Sequence, residues 1–254
     1  MSTARLGDPV RRAAREARSR WRRQRVVEVA LPGGGRLRWR HDDRYPAAMA
    51  AGTYEPELVA RLVEHVRRGD HVLDLGANSG YLSFVAKSLV GPAGRVVAVE
   101  PHPDNLATIA DRQALNPDLP VEVVAGAVAP HTGRATLQLT RNLANGRLGD
   151  PTWSHAKPAV ATLEVAAHRL DDLVLRAAPT LVKLDIEGAE GEVLEASAGP
   201  AAWPTAPVLL VEYHGEDNRA RARAVATAWG WTAEDAPSPD GLPAGLLTLR
   251  GPGA

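Results

Sequence analysis

Apolar runs of five or six residues alternate with longer stretches whose apolar positions recur every three or four residues, and this alternation governs the chain from Asp70 onward. Strands are predicted near 71–75, 95–99, 121–125, 180–185 and 207–212, and helices near 79–90, 103–115, 188–197 and 217–229. Strands separated by helices cannot be joined by tight turns, so this order predicts a parallel sheet covered by helices on both faces. A segment at 135–140 alternates like an extra strand, with a candidate partner at 161–166. The last two strands, near 231–234 and 246–250, flank Pro237, Ser238, Pro239, Asp240 and Gly241, whose turn chemistry predicts a hairpin and hence an antiparallel edge.

Ahead of this unit, 26–31 and 36–40 flank Pro32, Gly33, Gly34 and Gly35 and read as a hairpin with a glycine turn. A polar stretch then leads to Pro56, which suits a first helical turn, and Leu58, Leu62, Val63 and Val66 follow at helical spacing until Gly69. Between the extra strands, 141–158 carries Asn142, Asn145, Gly146, Gly149, Pro151, Trp153, Ser154 and His155 without a period. A stretch of that length reads as a binding loop or a lid.

The 254 residues suffice for one large α/β domain with a small appendage. Cysteine is absent, which removes disulfides, thiolate metal sites and a cysteine nucleophile. With neither a membrane-length apolar stretch nor an apolar leader near Met1, a soluble, cytoplasmic protein is expected. The 30 basic and 30 acidic residues cancel, so nucleic acid is an unlikely partner on overall charge. The distribution is uneven: residues 1–25 hold nine arginines, Arg5, Arg11, Arg12, Arg15, Arg18, Arg20, Arg22, Arg23 and Arg25, against Asp8 and Glu16. That arm reads as a solvated helix or a terminal extension able to meet an anionic partner.

The chemistry concentrates where the apolar run ending in Asp74 and Leu75 delivers Gly76, Ala77, Asn78, Ser79, Gly80 and Tyr81 into a helix. Exposed backbone N–H groups beside small residues bind an anionic or polar ligand closely. A nicotinamide fingerprint would need glycine at 76, 78 and 81, whereas Asn78 and Tyr81 stand there, and no lysine follows at the phosphate-loop position. A ligand with an amino-acid part and a ribose fits better, with Asp74 toward its ammonium and Glu100, at the end of the next strand, accepting from ribose hydroxyls. Gly126 and Ala127, at the third strand end, offer only backbone groups to a base. Asp185 and His214 fall at or just beyond the ends of adjacent central strands and are the candidate bases, with Glu187 and Glu212 in support. Asp185, Glu187 and Glu212 would suit a hard divalent ion, but no compact spacing calls for a metal and none is assigned.

These residues resemble the FkbM-type S-adenosylmethionine-dependent methyltransferases. The likeness runs from Gly52, Thr53, Tyr54, Glu55 and Pro56 through the 74–81 loop and Val99, Glu100 and Pro101 to Gly126 and Ala127. It continues through Leu170, Asp171, Asp172 and Leu173 to Lys183, Leu184, Asp185, Ile186, Glu187, Gly188, Ala189 and Glu190, ending at Val211 and Glu212. The resemblance implies the Rossmann-like class I methyltransferase fold over 52–254, preceded by an arm, helix and hairpin over 1–51. It implies S-adenosylmethionine as cofactor, held by Asp74, Gly76, Ala77, Asn78, Gly80, Tyr81, Glu100, Pro101, Gly126 and Ala127. Tyr54 and Glu55 would fold over the methionine end, and Asp185 and Glu187 would lie beside the transferred methyl group. The implied reaction is O-methylation of a small-molecule hydroxyl on a sugar, glycoside or polyketide.

Three other functions compete. An RNA-modifying or RNA-binding protein would use the arginine arm, although one phenylalanine and four tyrosines make a poor stacking platform. A non-catalytic partner would retain the fold without methyl transfer. A nicotinamide oxidoreductase is disfavoured by the glycine spacing.

Overall fold

The computed structural model describes residues 26–40, 48, 53–140, 146–148, 159–238 and 244–253. The arginine arm, most of the 141–158 loop and the Pro239–Gly241 turn therefore lie outside the described residues.

Seven strands form the central sheet: β3 (His71–Leu75), β4 (Arg95–Glu100), β5 (Glu122–Ala125), β10 (Leu181–Leu184), β11 (Val208–His214), β12 (Thr232–Pro237) and β13 (Ala244–Arg250). Their order across the sheet is β12-β13-β11-β10-β3-β4-β5. The five strands from β11 to β5 run parallel, while β13 is antiparallel to β11 and β12 to β13, as the terminal hairpin pattern predicts. Alternate positions supply two apolar layers. Leu73, Leu75, Val97, Val99, Val182 and Leu184 pack beneath α4 (Leu170–Ala177), α5 (Glu190–Glu195) and α6 (Glu216–Ala228). Val72, Val96, Ala98, Leu181 and Leu210 pack beneath α1 (Pro56–His65), α2 (Tyr81–Val90) and α3 (Pro103–Leu115). Strands covered on both faces are apolar at successive positions.

The pattern did not predict α4, although Leu170, Leu173, Val174 and Ala177 recur at helical spacing and are all buried. The helix has eight residues, too short for the period to stand out, and Asp171 anchors its start by accepting from Ser197 Oγ, Trp203 Nε1 and the Ala198 N–H. The extra strands are longer than predicted and leave the main sheet. β7 (Gly133–Thr140) and β9 (Ala159–His168) pair antiparallel, and β6 (Ala127–Val128) and β8 (Gly146–Leu148) complete a four-stranded sheet in the order β6-β9-β7-β8.

The expected N-terminal hairpin is β1 (Val26–Ala30) with β2 (Arg36–Arg40), and its Leu37 and Trp39 join the α2–α3 core. Gly33 permits the docking, since a Cβ there would stand 2.2 Å from the Ser88 carbonyl oxygen. Asn116, with no exposed surface, acts as a substitute strand edge: its Oδ1 accepts from the Arg38 N–H at 2.8 Å and its Nδ2 donates to the Arg38 carbonyl at 2.6 Å. Arg112 completes the join, stacking 4.6 Å from the Trp39 ring while its guanidinium donates to the Ser79 carbonyl.

Candidate functional site

The loop 76–80 leaves β3 and the loop 185–189 leaves β10, at the carboxyl ends of adjacent strands where the sheet order reverses. Open α/β sheets bind ligands at such a switch point. The two loops touch: a Cβ on Gly76 would lie 1.8 Å from the Asp185 carbonyl oxygen, and Gly76 has a φ of 76° that side-chain-bearing residues rarely adopt. The Gly76 and Ala77 N–H groups both donate to the Val99 carbonyl at 3.0 Å, which ties the loop to β4.

Glu100 ends β4 with 4% of its surface exposed. Its Oε1 accepts from the His102 N–H at 2.8 Å and from Asn105 Nδ2 at 3.1 Å, and its Oε2 accepts from the Asn78 N–H at 2.8 Å. A carboxylate has about four acceptor positions, so Oε2 alone keeps one to offer. Burial pushes the Glu100 carboxyl up to about 7, against the pull of these hydrogen bonds.

A partly open cleft beside Glu100 holds about 510 Å³ of empty space, open solvent included. Gly76, Asn78, Glu100, Pro101, Gly126, Ala127, Asp185 and Glu187 all line it, as read from the sequence. Val99, Val128 and Ile186 fill the wall between them. The four-stranded sheet adds Leu137, Arg147 and Leu148, which sequence reasoning did not single out. Arg147 lies in the stretch read as a binding loop, but the pairing of β8 with β7 that turns it inward has no local signature.

Several expected residues stand off the wall. Asp74 is 1% exposed and faces Ser83 Oγ and Lys183 Nζ instead of the cavity, because β10 sets a lysine directly across from it. Ala77 and Tyr81 are buried behind the loop, and Gly80 starts α2. Tyr81 stacks edge-on between Tyr54 and Trp39, with ring centres 5.3 and 6.0 Å away. Glu55 precedes α1, and burial and the charge of Asp185 raise its pKa.

Around Asp185 the charges are closely set. Lys183, 3% exposed, donates to the Gly76 carbonyl at 2.8 Å and lies 3.1 Å from Asp185 Oδ2 and 3.3 Å from Asp74 Oδ1. Burial would lower its pKa, but Asp185, Asp74 and Glu212 outweigh that and hold it protonated. On the other side His214 Nδ1 donates to Glu190 Oε1 at 3.0 Å, and His214 Nε2 lies 3.9 Å from Glu187. The same Glu190 oxygen accepts the Ile186 and Gly188 N–H groups, so one carboxylate fixes both the histidine and the loop that carries Glu187. Burial opposes the charge on His214, yet Glu190, Asp185 and Glu187 carry its pKa up to about 10. Glu212 is raised well above the carboxylate range by burial and by the charges of Asp185 and Glu55. Donor atoms of Asp185, Glu212 and His214 fall within 4.8 Å of one another, a spacing that a divalent cation could bridge. Among the described residues, no helix is long and apolar enough to cross a membrane.

Comparison with known proteins gives three kinds of match. The family model of the methyltransferase FkbM domain matches residues 74–227, more than half of the chain. The protein-L-isoaspartate O-methyltransferase of Triticum aestivum is 30% identical over 114 residues, 45% of this chain and 43% of that protein. The protein of the same name from Ignicoccus hospitalis is 47% identical over 51 residues, 19% of this chain and 24% of that one. This chain thus spans less than half the length of either relative. Among solved structures, Aeropyrum pernix fibrillarin with natively bound S-adenosyl-L-methionine aligns over 90% of this chain and 84% of its own, at 14% identity and a TM-score of 0.48.

Proposed function

The chain belongs to the FkbM methyltransferase family, with S-adenosylmethionine as its cofactor, and from that premise we propose that it methylates a hydroxyl oxygen on a small molecule of the sugar, glycoside or polyketide kind. The residues of the cavity fit this cofactor. Its wall offers a carboxylate for a ribose hydroxyl at Glu100 and a glycine floor at Gly76, and the Asn78 N–H that a phosphate would need is already taken by Glu100. Both curated relatives are O-methyltransferases by name, which supports an oxygen acceptor.

The observation that carries the reading is the placement of Asp185 and Glu187 in the same wall as Glu100. When bound, the cofactor supplies an electrophilic methyl group on a sulfonium. In this reading Glu100, Gly76, Asn78, Pro101, Gly126 and Ala127 hold the cofactor, with Asp74, Ala77, Gly80 and Tyr81 shaping the loop from behind and Tyr54 and Glu55 closing over it. Asp185 accepts the proton of the acceptor hydroxyl as the oxygen attacks, an assistance worth about 10² to 10⁴ in rate. His214, already protonated near neutral pH, is not in the form that accepts a proton. It serves as the cation that keeps Glu187 and Asp185 turned toward the cavity. Alignment in a site shielded from water supplies the larger part of the acceleration.

Calorimetry with S-adenosylmethionine and S-adenosylhomocysteine tests the cofactor half: binding is expected, with at least a tenfold loss in Glu100→Ala, about the effect of one charge-assisted hydrogen bond. Mass spectrometry of products from hydroxylated metabolites, with and without the hydroxyl blocked, tests the acceptor half. Methyl transfer to carbon, nitrogen or RNA alone would overturn it.

A further inference from the structure

The ammonium of Lys183 donates to the Gly76 carbonyl at 2.8 Å and lies within ion-pair distance of two carboxylates, 3.1 Å from Asp185 Oδ2 and 3.3 Å from Asp74 Oδ1. The three belong to different parts of the molecule. Asp74 sits opposite Lys183 in the β3–β10 register, Gly76 begins the cofactor loop, and Asp185 begins the loop that carries Glu187. Burying an ammonium is costly unless it is paired, and Asp74, equally buried, would already neutralise it. The further contacts, to a carbonyl and a second carboxylate, exceed what neutralisation requires. They fall on the two loops whose backbones meet where Gly76 abuts the Asp185 carbonyl.

We infer that Lys183 is a positioning residue that locks the Gly76 turn and the Asp185 carboxylate into one unit, so that the cofactor loop and the acid beside the transferred methyl hold a single fixed relation. Asp74 is the counter-charge that allows a cation to stand there. The role of Asp185 rests on the proposed methyl transfer, whereas the lock itself acts on ligand binding and can be read without an acceptor.

The experiment measures the affinities of S-adenosylmethionine and S-adenosylhomocysteine by calorimetry in the full chain and in Lys183→Met. Loss of the donor to Gly76 is expected to weaken S-adenosylhomocysteine about tenfold, the effect of one charge-assisted hydrogen bond. Removing a positive charge from beneath the cavity is expected to raise the preference for the sulfonium ligand over the neutral thioether several-fold. A lysine that only fills the core would weaken both ligands by the same factor, and that result, or unchanged affinity, overturns the inference. If Lys183→Met does not fold, Lys183→Met/Asp74→Asn removes the buried pair without changing net charge. It is expected to weaken S-adenosylhomocysteine about tenfold while thermal unfolding stays within a few degrees of wild type; wild-type affinity there, or a loss of affinity that tracks a loss of stability, overturns the inference. Wild-type protein that binds neither ligand refutes the cofactor reading instead, so the two failures are distinct.

Discussion

His214 donates from Nδ1 to Oε1 of Glu190 across 3.0 Å, and Glu190 has no exposed surface. A buried cation is thereby matched to a buried anion that also holds the Ile186 and Gly188 N–H groups. The folded-state pKa of His214, about 10, exceeds the ordinary 6.5, so its contribution to stability is full below pH 6.5 and is lost as pH rises through about 10. Nuclear magnetic resonance of the His214 ring is expected to show a titration midpoint near that value, falling by two units or more in Glu190→Gln, about the influence of one close buried charge. A midpoint in Glu190→Gln equal to that of the wild type would show that Asp185 and Glu187 alone hold the proton.

Glu100 titrates in a different window. Its folded pKa of about 7 lies above the ordinary 4.5, so the free protein favours the protonated acid; this contribution to stability is present below pH 4.5 and is lost as pH rises through about 7. A ribose hydroxyl donating to Oε2 favours the carboxylate instead. S-adenosylhomocysteine affinity is therefore expected to rise up to about tenfold between pH 6 and 8, and Glu100→Gln is expected to abolish that dependence. A flat wild-type profile would mean that Glu100 does not meet the ligand.

The Gly76 turn is expected to tolerate no side chain. Gly76→Ala would place a Cβ 1.8 Å from the Asp185 carbonyl oxygen on a backbone with φ of 76°, so one of the two loops must withdraw. The cavity floor is made of those loops, and cofactor affinity is expected to fall about 100-fold or more, as when a positioned group shifts by about 1 Å. Affinity within threefold of wild type would place the ligand elsewhere.

Much of this was readable along the chain, for reasons that particular residues make plain. β3, β4, β10 and β11 announce themselves because strands covered on both faces are apolar at successive positions. That Gly76, Asn78 and Glu100 cluster was legible because the loop after β3 and the next strand end lie only 22 residues apart. Contacts set by register across the sheet were not. Lys183 meets Gly76 across 107 residues, and nothing near either one shows that β10 lies beside β3 and turns Asp74 away from the cavity. His214 and Glu190 sit 24 residues apart on different elements, so nothing local shows the pairing that raises the histidine's pKa. Arg147 escaped notice because its strand has three residues and takes its orientation from β7.

The hairpin joint gives a stability test. Asn116→Ala leaves the Arg38 N–H and carbonyl and the Arg112 carbonyl without their amide partner. Unmaking buried hydrogen bonds costs about 1–3 kcal/mol per group left unsatisfied, so thermal unfolding is expected to drop by at least about 5 °C. Asn116→Asp is expected to be little better, since it restores the acceptor but not the donor. A variant that unfolds with the wild type would show the hairpin to be held by its apolar face alone.

The same joint has a consequence for the order in which the molecule is made. Arg38 and Asn116 are 78 residues apart, and chains emerge from the ribosome with the earlier residue first. The strands bearing Leu37 and Trp39 thus leave the tunnel well before α3 exists to cover them, a wait of about 4 to 16 s at about 5–20 residues per second. During that interval a two-stranded ribbon, which is marginal in water by itself, carries an uncovered tryptophan. The folded protein buries Leu37 and Trp39 beneath that seam, and the newborn chain is where a chaperone, or a neighbouring copy, would find them.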